Sequence, residues 1–166
     1  MNSVRTVLLV IAIFCCIKNV GAQTSSPSEN AMVYADSFLK SFRNNHFEAY
    51  TDLSYPGVIA YYGGNKNFQE YVHRARALCN AETQEDITLI QIVHDNSEYQ
   101  CVISKTCETT IDQRKAQIIT YMVGQSRDEG HTWKFIDVAQ SSPGNLVYIM
   151  PDISAELTIP QRQVIF

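Results

Sequence analysis

Two charged residues, Lys105 and Asp137, fall in strand-like segments at positions predicted to face an apolar interior. Alternate side chains of a strand share a face. Asp137 should share a strand face with Trp133 and Phe135. Lys105 should share a strand face with Tyr99, Cys101, Ile103 and Cys107. A carboxylate among aromatic groups can exchange a proton near neutral pH, as an isomerase or dehydratase requires. Asp137 is therefore the catalytic candidate. The alternative is that a bulge turns Lys105 outward and Asp137 only caps a strand end.

The chain is rich in tyrosine, with nine in all, and six of them precede residue 72. A tyrosine combines an apolar ring with a hydroxyl that needs a partner, which suits the lining of a pocket. The predicted pocket residues are Tyr34, Phe38, Tyr62, Tyr99, Lys105, Tyr121 and Trp133. In an enzyme, Tyr62 or Tyr121 would donate a hydrogen bond beside Asp137. The alternative is that the tyrosines are ordinary core and rim residues.

The cysteines and histidines indicate no metal site and no cofactor. Beyond residue 22 the thiols are Cys79, Cys101 and Cys107, whose spacing does not resemble a zinc site. Cys101 and Cys107 are six residues apart on one predicted strand, roughly 20 Å, so they cannot bridge directly. Any disulfide therefore includes Cys79, and the alternative is three buried, unpaired thiols. His73 lies opposite the apolar side of its predicted helix and should face solvent.

Residues 1–22 have the features of a secretory signal peptide. Arg5 precedes an apolar run of eleven residues, and Val20-Gly21-Ala22 provides a small-residue cleavage site. We therefore expect a secreted or periplasmic protein with no membrane anchor after cleavage. Residues 23–140 form the predicted domain and 141–166 an extension that wraps over it. Without the signal the chain has 11 basic and 17 acidic residues, a net charge of −6, which disfavours nucleic acid as a partner.

The order of elements predicts an α+β fold with helices packed on one face of an antiparallel sheet. Ser26-Pro27-Ser28-Glu29 is a capping box that opens the first helix. Further helices are predicted over 46–53 and 67–79, with a short strand over 58–62 between them. Four strands follow, over 87–94, 98–111, 113–125 and 131–138. Strands this long usually curl or bulge, so a strongly curved sheet is expected.

A single local motif stands between the last two strands. The segment Ser126-Arg127-Asp128-Glu129-Gly130-His131-Thr132-Trp133 resembles the Asp-box of sialidase-like propellers. Asp128 can accept amide hydrogen bonds within its own turn, Gly130 can take positive φ, and Trp133 can pack under the hairpin. The box occurs once in a chain too short for a propeller. It therefore predicts a stable hairpin tip and not glycosidase chemistry.

From about residue 30 to residue 140 the chain resembles the NTF2-like superfamily, which includes SnoaL-like cyclases and ketosteroid isomerases. The resemblance lies in the element order and in the patches Ala31-Met32-Val33-Tyr34-Ala35-Asp36-Ser37-Phe38 and His131-Thr132-Trp133-Lys134-Phe135-Ile136-Asp137. It implies an NTF2-like cone that can hold a small apolar molecule, and often a homodimer. The superfamily has no universal catalytic residue, so none is carried over.

The sequence thus predicts an exported, non-enzymatic domain that binds a small apolar molecule or a protein partner in its cone. The alternative is a cofactor-independent isomerase, dehydratase or cyclase that uses the inward carboxylate of Asp137. A third reading is a dimerisation module that uses the outer face of the sheet.

Overall fold

The computed structural model describes residues 25–77, 85–95, 97–138 and 143–166. The predicted signal peptide and Cys79 lie outside these ranges. The described part is α+β, which confirms the predicted fold class: helices pack on an antiparallel sheet. The N-terminal helices are α1 (Pro27–Arg43), α2 (Phe47–Leu53), α3 (Pro56–Tyr61) and α4 (Asn65–Ala77), and a fifth helix, α5 (Pro143–Ile149), follows the sheet.

Helix α1 begins at the predicted capping box. The amide of Glu29 donates to Ser26 Oγ at 3.2 Å, and the amide of Ser26 donates to the Glu29 carboxylate at 2.8 Å. The prediction of a strand over 58–62 is wrong, because Val58 to Tyr61 belong to α3. Pro56 occupies the first helical turn of α3, where its fixed φ favours a helix and its missing N–H costs nothing.

Within the described ranges, the sheet has five strands. Four of them follow one another in space as in sequence, and the fifth adds to the third. The strands are β1 (Glu85–Asp95), β2 (Glu98–Ile111), β3 (Arg114–Ser126), β4 (Lys134–Asp137) and β5 (Gln163–Ile165). The register of β1 on β2 shifts between Leu89 and Gln91, which is a β-bulge. The register of β2 on β3 is unbroken from Tyr99 to Ile111.

Both faces of the sheet carry a hydrophobic core. The inner face packs against α1, α2 and α4, and its buried sheet residues are Cys101, Ile103, Met122, Trp133 and Phe135. The outer face packs against α5 and the residues after it, through Val123 and Ile136 on the sheet and Leu146 and Met150 above them. The two faces alternate along β3, since Met122 belongs to one core and Val123 to the other. Strand parity therefore decides which residues can share a site.

Residues 151–159, here named the strap, cross the outer face as an irregular segment that contains two turns. Gln100 donates to one strap carbonyl and accepts from a strap amide, both at 2.8 Å, and Gln91 does the same at 2.8 and 3.0 Å. The backbone partners are Asp152 and Ser154 for Gln100, and Glu156 and Thr158 for Gln91. A side-chain amide carries the same donor and acceptor as a peptide group. The sheet thus holds the strap through its backbone.

The Asp-box turn forms the hairpin tip that the sequence predicts. The Asp128 carboxylate accepts from Ser126 Oγ at 2.8 Å and from the amide and hydroxyl of Thr132 at 2.8 and 2.7 Å. Gly130 has φ +85° and its carbonyl accepts from the indole of Trp133, which is fully buried. The turn therefore closes the inner core. Among the described residues, no helix is both long and apolar enough to cross a membrane.

Candidate functional site

Lys105 forms the centre of a charged group on the inner face. Its Nζ lies 2.5 Å from Asp137 Oδ2 and 3.7 Å from Glu85 Oε1. The Lys105 side chain is 5% exposed, whereas those of Asp137 and Glu85 are 30% and 25% exposed. The ammonium is therefore buried behind two carboxylates that reach solvent. We call these three residues, together with Tyr62 and Tyr71, the inner polar site; Tyr50 is near both carboxylates and near both of these tyrosines.

Strand register brings the three charges together. Lys105 pairs with Ile87 on β1 and with Thr120 on β3, while Glu85 pairs with Cys107, two residues further along the same face of β2. Asp137 pairs with Met122, whose side chain belongs to the inner core. The bulge that the sequence analysis considered for β2 lies in β1 instead, and Lys105 keeps the inward parity of Ile103.

The charge of Lys105 is stabilised by its neighbours. Burial alone lowers the pKa of Lys105, but the Asp137 and Glu85 carboxylates outweigh it and leave that pKa above its ordinary value. A buried lysine acts as a nucleophile or base only when its pKa is lowered. The Lys105 ammonium therefore serves as a hydrogen-bond donor and a counter-charge.

Tyr50 lies near the two carboxylates, and Tyr62 and Tyr71 lie near Tyr50. Burial, and then the nearby Asp137 carboxylate, raises the pKa of Tyr50 well above its usual range. Burial and a side-chain hydrogen bond with Tyr71 raise the pKa of Tyr62. The rings of Tyr62 and Tyr71 stack with centroids 4.2 Å apart. Tyr50 and Tyr62 therefore remain neutral phenols, and Tyr50 is the phenol that lies near the two carboxylates.

A series of aromatic ring contacts connects Tyr62 of the inner polar site with the buried core. Phe68 lies with its ring centroid 5.7 Å from Tyr62 and 6.1 Å from Tyr50, and Tyr50 stacks on Phe38 at 4.3 Å. Tyr62 and Tyr71 are only partly buried, as is Ile87 on the neighbouring strand. The region thus offers a partly exposed apolar wall on one side and charges on the other.

The predicted site residues divide into two groups. Lys105 and Asp137 come together as an ion pair, while Tyr62 and Tyr34 lie partly buried against the same inner core. Phe38 and Trp133 are 1% and 0% exposed and serve as core. Tyr99 lies six residues from Lys105 along β2 and stacks on His94 at 4.3 Å. It is therefore remote from the charges.

Tyr121 requires a correction. It was predicted to line the pocket, but it shares the outer face of β3 with Val123. Its hydroxyl accepts a hydrogen bond from the side chain of Gln163 on β5 at 3.1 Å. Only its neighbour Met122 faces the inner core. Sequence reasoning also missed Glu85, because β1 begins two residues before the predicted start at Ile87. Glu85 is two residues before Ile87 and therefore lies on the same face of β1, and this spacing is the signal that could have identified it.

The described thiols are unreactive. Burial raises the pKa of Cys101 to about 12, and burial together with Glu85 raises the pKa of Cys107. Both are free cysteines on β2, and the predicted partner Cys79 lies outside the described residues. A raised pKa keeps a thiol protonated and therefore a poor nucleophile.

A cavity of about 250 Å³ opens between α2 and α4, away from the inner polar site, and is lined by Asn45, Phe47, His73, Arg76 and Ala77. His73 is exposed, as its helical position predicts. Arg76 is buried, and its Nε and Nη2 donate to the carbonyl of Arg43 at 3.3 and 3.0 Å. That carbonyl ends α1, so Arg76 has a structural role as a helix cap.

Across the described ranges, no group of three or more His, Cys, Asp and Glu side chains could hold a metal ion. Comparisons of the chain with protein-family models, curated proteins and solved structures gave no match.

Proposed function

We propose that this chain is an exported NTF2-like domain that binds a small amphipathic molecule in its cone, at the inner polar site. One observation carries the proposal: a buried ammonium and two partly exposed carboxylates face an apolar, tyrosine-lined interior. Small-molecule sites are typically apolar surfaces with a few convergent polar groups. A ligand would place its apolar body on Tyr62, Tyr71 and Ile87 and its polar end at the carboxylates.

The element order supports the NTF2-like assignment and its cone. Four helices precede a long antiparallel hairpin sheet, and α1, α2 and α4 pack on the face that carries Lys105. The bulge in β1 supports curvature, because a bulge bends its strand and increases local twist. The apolar residue at the bulge, Ile90, is 51% exposed.

The charges of the inner polar site suit ligand binding better than they suit acid–base catalysis. The Asp137 carboxylate lies 2.5 Å from a lysine whose pKa is raised, so the pair is held as a salt bridge. A general base must be free to accept a proton from the substrate, whereas Oδ2 of Asp137 is held by the Lys105 ammonium. The site is therefore suited to fixed hydrogen bonds with a ligand.

A neutral apolar dye tests the binding proposal. Nile red should fluoresce with the wild-type protein, and Ile87→Lys, which places a second ammonium opposite Lys105, should abolish the signal. Val33→Lys is the matched control, because Val33 is 63% exposed on α1 and should not affect the dye. Equal fluorescence in all three folded proteins would contradict binding at the inner polar site.

An acid–base enzyme is the second candidate, favoured by the inward direction and partial exposure of Asp137 beside Tyr50. Isomerases, dehydratases and cyclases of this kind remove a proton from carbon. They should therefore exchange solvent deuterium into a small ketone such as cyclohexanone. Exchange by the wild type that disappears in Asp137→Asn would favour the enzyme over the binding protein.

A further inference from the structure

The edge of β3 is closed by two short strands. Strand β2 pairs with β3 from Arg114 to Ser126 on one side, and β4 occupies the other side at 122–125. Strand β5 covers the adjoining stretch 117–119 on that same side. Without β5, the backbone groups at 117–119 would form an open edge, which is a template for pairing with another strand.

Few side-chain contacts hold β5 in place. Its three residues are exposed, and Val164, Ile165 and the following Phe166 are 38%, 49% and 62% exposed. Gln163 donates to the Tyr121 hydroxyl at 3.1 Å, and the Arg114 guanidinium lies 4.7 Å from the centre of the Phe166 ring. The ladder to β3 therefore provides most of the attachment, and three apolar side chains remain open to water.

The chain just before β5 is suited to act as a hinge. Upstream of it the strap is fixed by Gln91, which accepts from the amide of Thr158. Residues 159–162 then run to β5 as an irregular segment that contains Pro160. Four extended residues span roughly 13 Å, enough for the strand to reach the edge of an adjacent molecule.

We propose that two copies of this chain exchange β5 reciprocally and so form a dimer, independently of the inner polar site. The occupant is a second copy because the edge at 117–119 already accepts this sequence in a defined register. Exchange restores every backbone hydrogen bond of the ladder. The exposed apolar side chains of Val164, Ile165 and Phe166 would then be available to pack where the two chains cross.

The test is a cross-link that can form only between chains. Ile118 and Val164 are directly opposed in the register, at a spacing that a disulfide can bridge. One variant carries Ile118→Cys, and the other, labelled with ¹⁵N, carries Val164→Cys. They are mixed at about 0.1 mM. A short linker holds a strand near its own sheet at an effective concentration roughly tenfold higher than this, so links between chains are rare unless the dimer is favoured. We expect mass spectrometry to find most chains joined through positions 118 and 164.

Two controls define the outcomes. A chain with both substitutions should close the bridge internally, which establishes that the geometry allows it. Val33→Cys, at an apolar position on α1 that is more exposed than Val164 (63% against 38%), replaces Val164→Cys in the matched mixture. If the 118–164 link is no more frequent than the 118–33 link while the double variant still closes, strand exchange is wrong. Ile165→Lys should lower dimer formation at least tenfold, whereas Val33→Lys should leave it unchanged.

Discussion

At the scale of single residues, Lys105 is the side chain on which the inner polar site most depends. Lys105→Met keeps most of the side-chain volume but removes the ammonium that contacts both Asp137 and Glu85. Breaking a buried pair costs several kcal/mol, and the partial exposure of the carboxylates reduces this. We therefore expect urea denaturation to show a loss of about 2–4 kcal/mol in the free energy of unfolding.

The matched control is Lys115→Met, since Lys115 is exposed on β3 and should change stability by less than about 0.5 kcal/mol. The pKa of Lys105 is raised in the folded state, so its stabilising effect is fully present below the ordinary value of 10.5. The effect is lost only as pH rises through the folded-state pKa. Equal stability of Lys105→Met and the control at pH 7 would contradict the buried ion pair.

Asp128 is the second residue with a measurable local effect. Burial acts to raise the pKa of Asp128, but hydrogen bonds from Thr132 and Ser126 outweigh it and lower that pKa to about 2. Asp128→Ala removes these bonds from the hairpin tip, and we expect a loss of about 1–2 kcal/mol in chemical denaturation at pH 7. Asp36→Ala, which removes an exposed i,i+4 pair with Lys40, should cost less than about 0.5 kcal/mol.

The same residue gives a pH dependence. Because its pKa is lowered on folding, the stabilisation by Asp128 is fully present above the ordinary value of 3.8 and is lost as pH falls through about 2. The difference in melting temperature between the wild type and Asp128→Ala should therefore be constant from pH 7 to 5 and shrink towards pH 2. A difference that grows on acidification would contradict the hydrogen bonds described for the turn.

At this scale strand parity predicted much of the site. Lys105 and Asp137 were placed on the inner face from alternation alone, since β2 has no bulge. Tyr121 was chosen for its residue type and not by parity, and it lies on the outer face, next to Met122 on the inner face. Both neighbours are large and apolar, so the pattern does not reveal the face.

At the scale of elements, Gly130 couples the start of α1 to the Asp-box turn. A β-carbon at Gly130 would lie 2.5 Å from the Cβ of Pro27, and its φ is +85°. Asn30 also donates to the carbonyl of Gly130 at 2.9 Å. We expect Gly130→Ala to cost about 2–4 kcal/mol in unfolding free energy, from backbone strain and overpacking together.

Gly64 provides the matched control for this prediction. It also has positive φ, +106°, but a β-carbon there would meet nothing within 4 Å. Gly64→Ala should therefore cost only the backbone strain, about 1 kcal/mol. If thermal denaturation shows the two alanine variants to be equally stable, the close contact between Pro27 and the turn is wrong.

Gln100 tests how the strap is attached. Gln100→Met removes both amide contacts with the strap, and the amide of Ser154, which is buried, loses its acceptor. We expect a loss of about 1–3 kcal/mol and faster hydrogen exchange at Ser154. Gln117→Met, on the exposed part of β3, should leave the exchange at Ser154 unchanged. Unchanged exchange in Gln100→Met would mean that other contacts hold the strap.

Helix and strand boundaries were predictable where local chemistry is strong. The capping box fixed the start of α1, and the long alternating run fixed β2. Helix α3 was not predicted, because six residues with no buried side chain give no helical apolar face. Its proline at the first turn was read only as part of a turn. The strap could not be placed, since its attachment depends on Gln91 and Gln100, which are distant in sequence.

At the scale of the whole molecule, helices on one face and a strap on the other give the sheet two cores. The order of helices before strands predicts the α+β class, because each amphipathic helix must bury its apolar side on the sheet that follows. The second core could not be predicted from the sequence, because the residues after 141 show no hydrophobic periodicity. The inner polar site arises where β1, β2 and β4 place charges beside the helices.

The central claim is that the inner polar site holds a small molecule. The most direct measurement is native mass spectrometry of the protein purified from its own host without denaturation, alongside Lys105→Met and Lys115→Met prepared in the same way. We expect a retained small-molecule mass on the wild type and on Lys115→Met that is lost from Lys105→Met. Bare protein in all three samples, or the same extra mass on all three, would contradict the central claim.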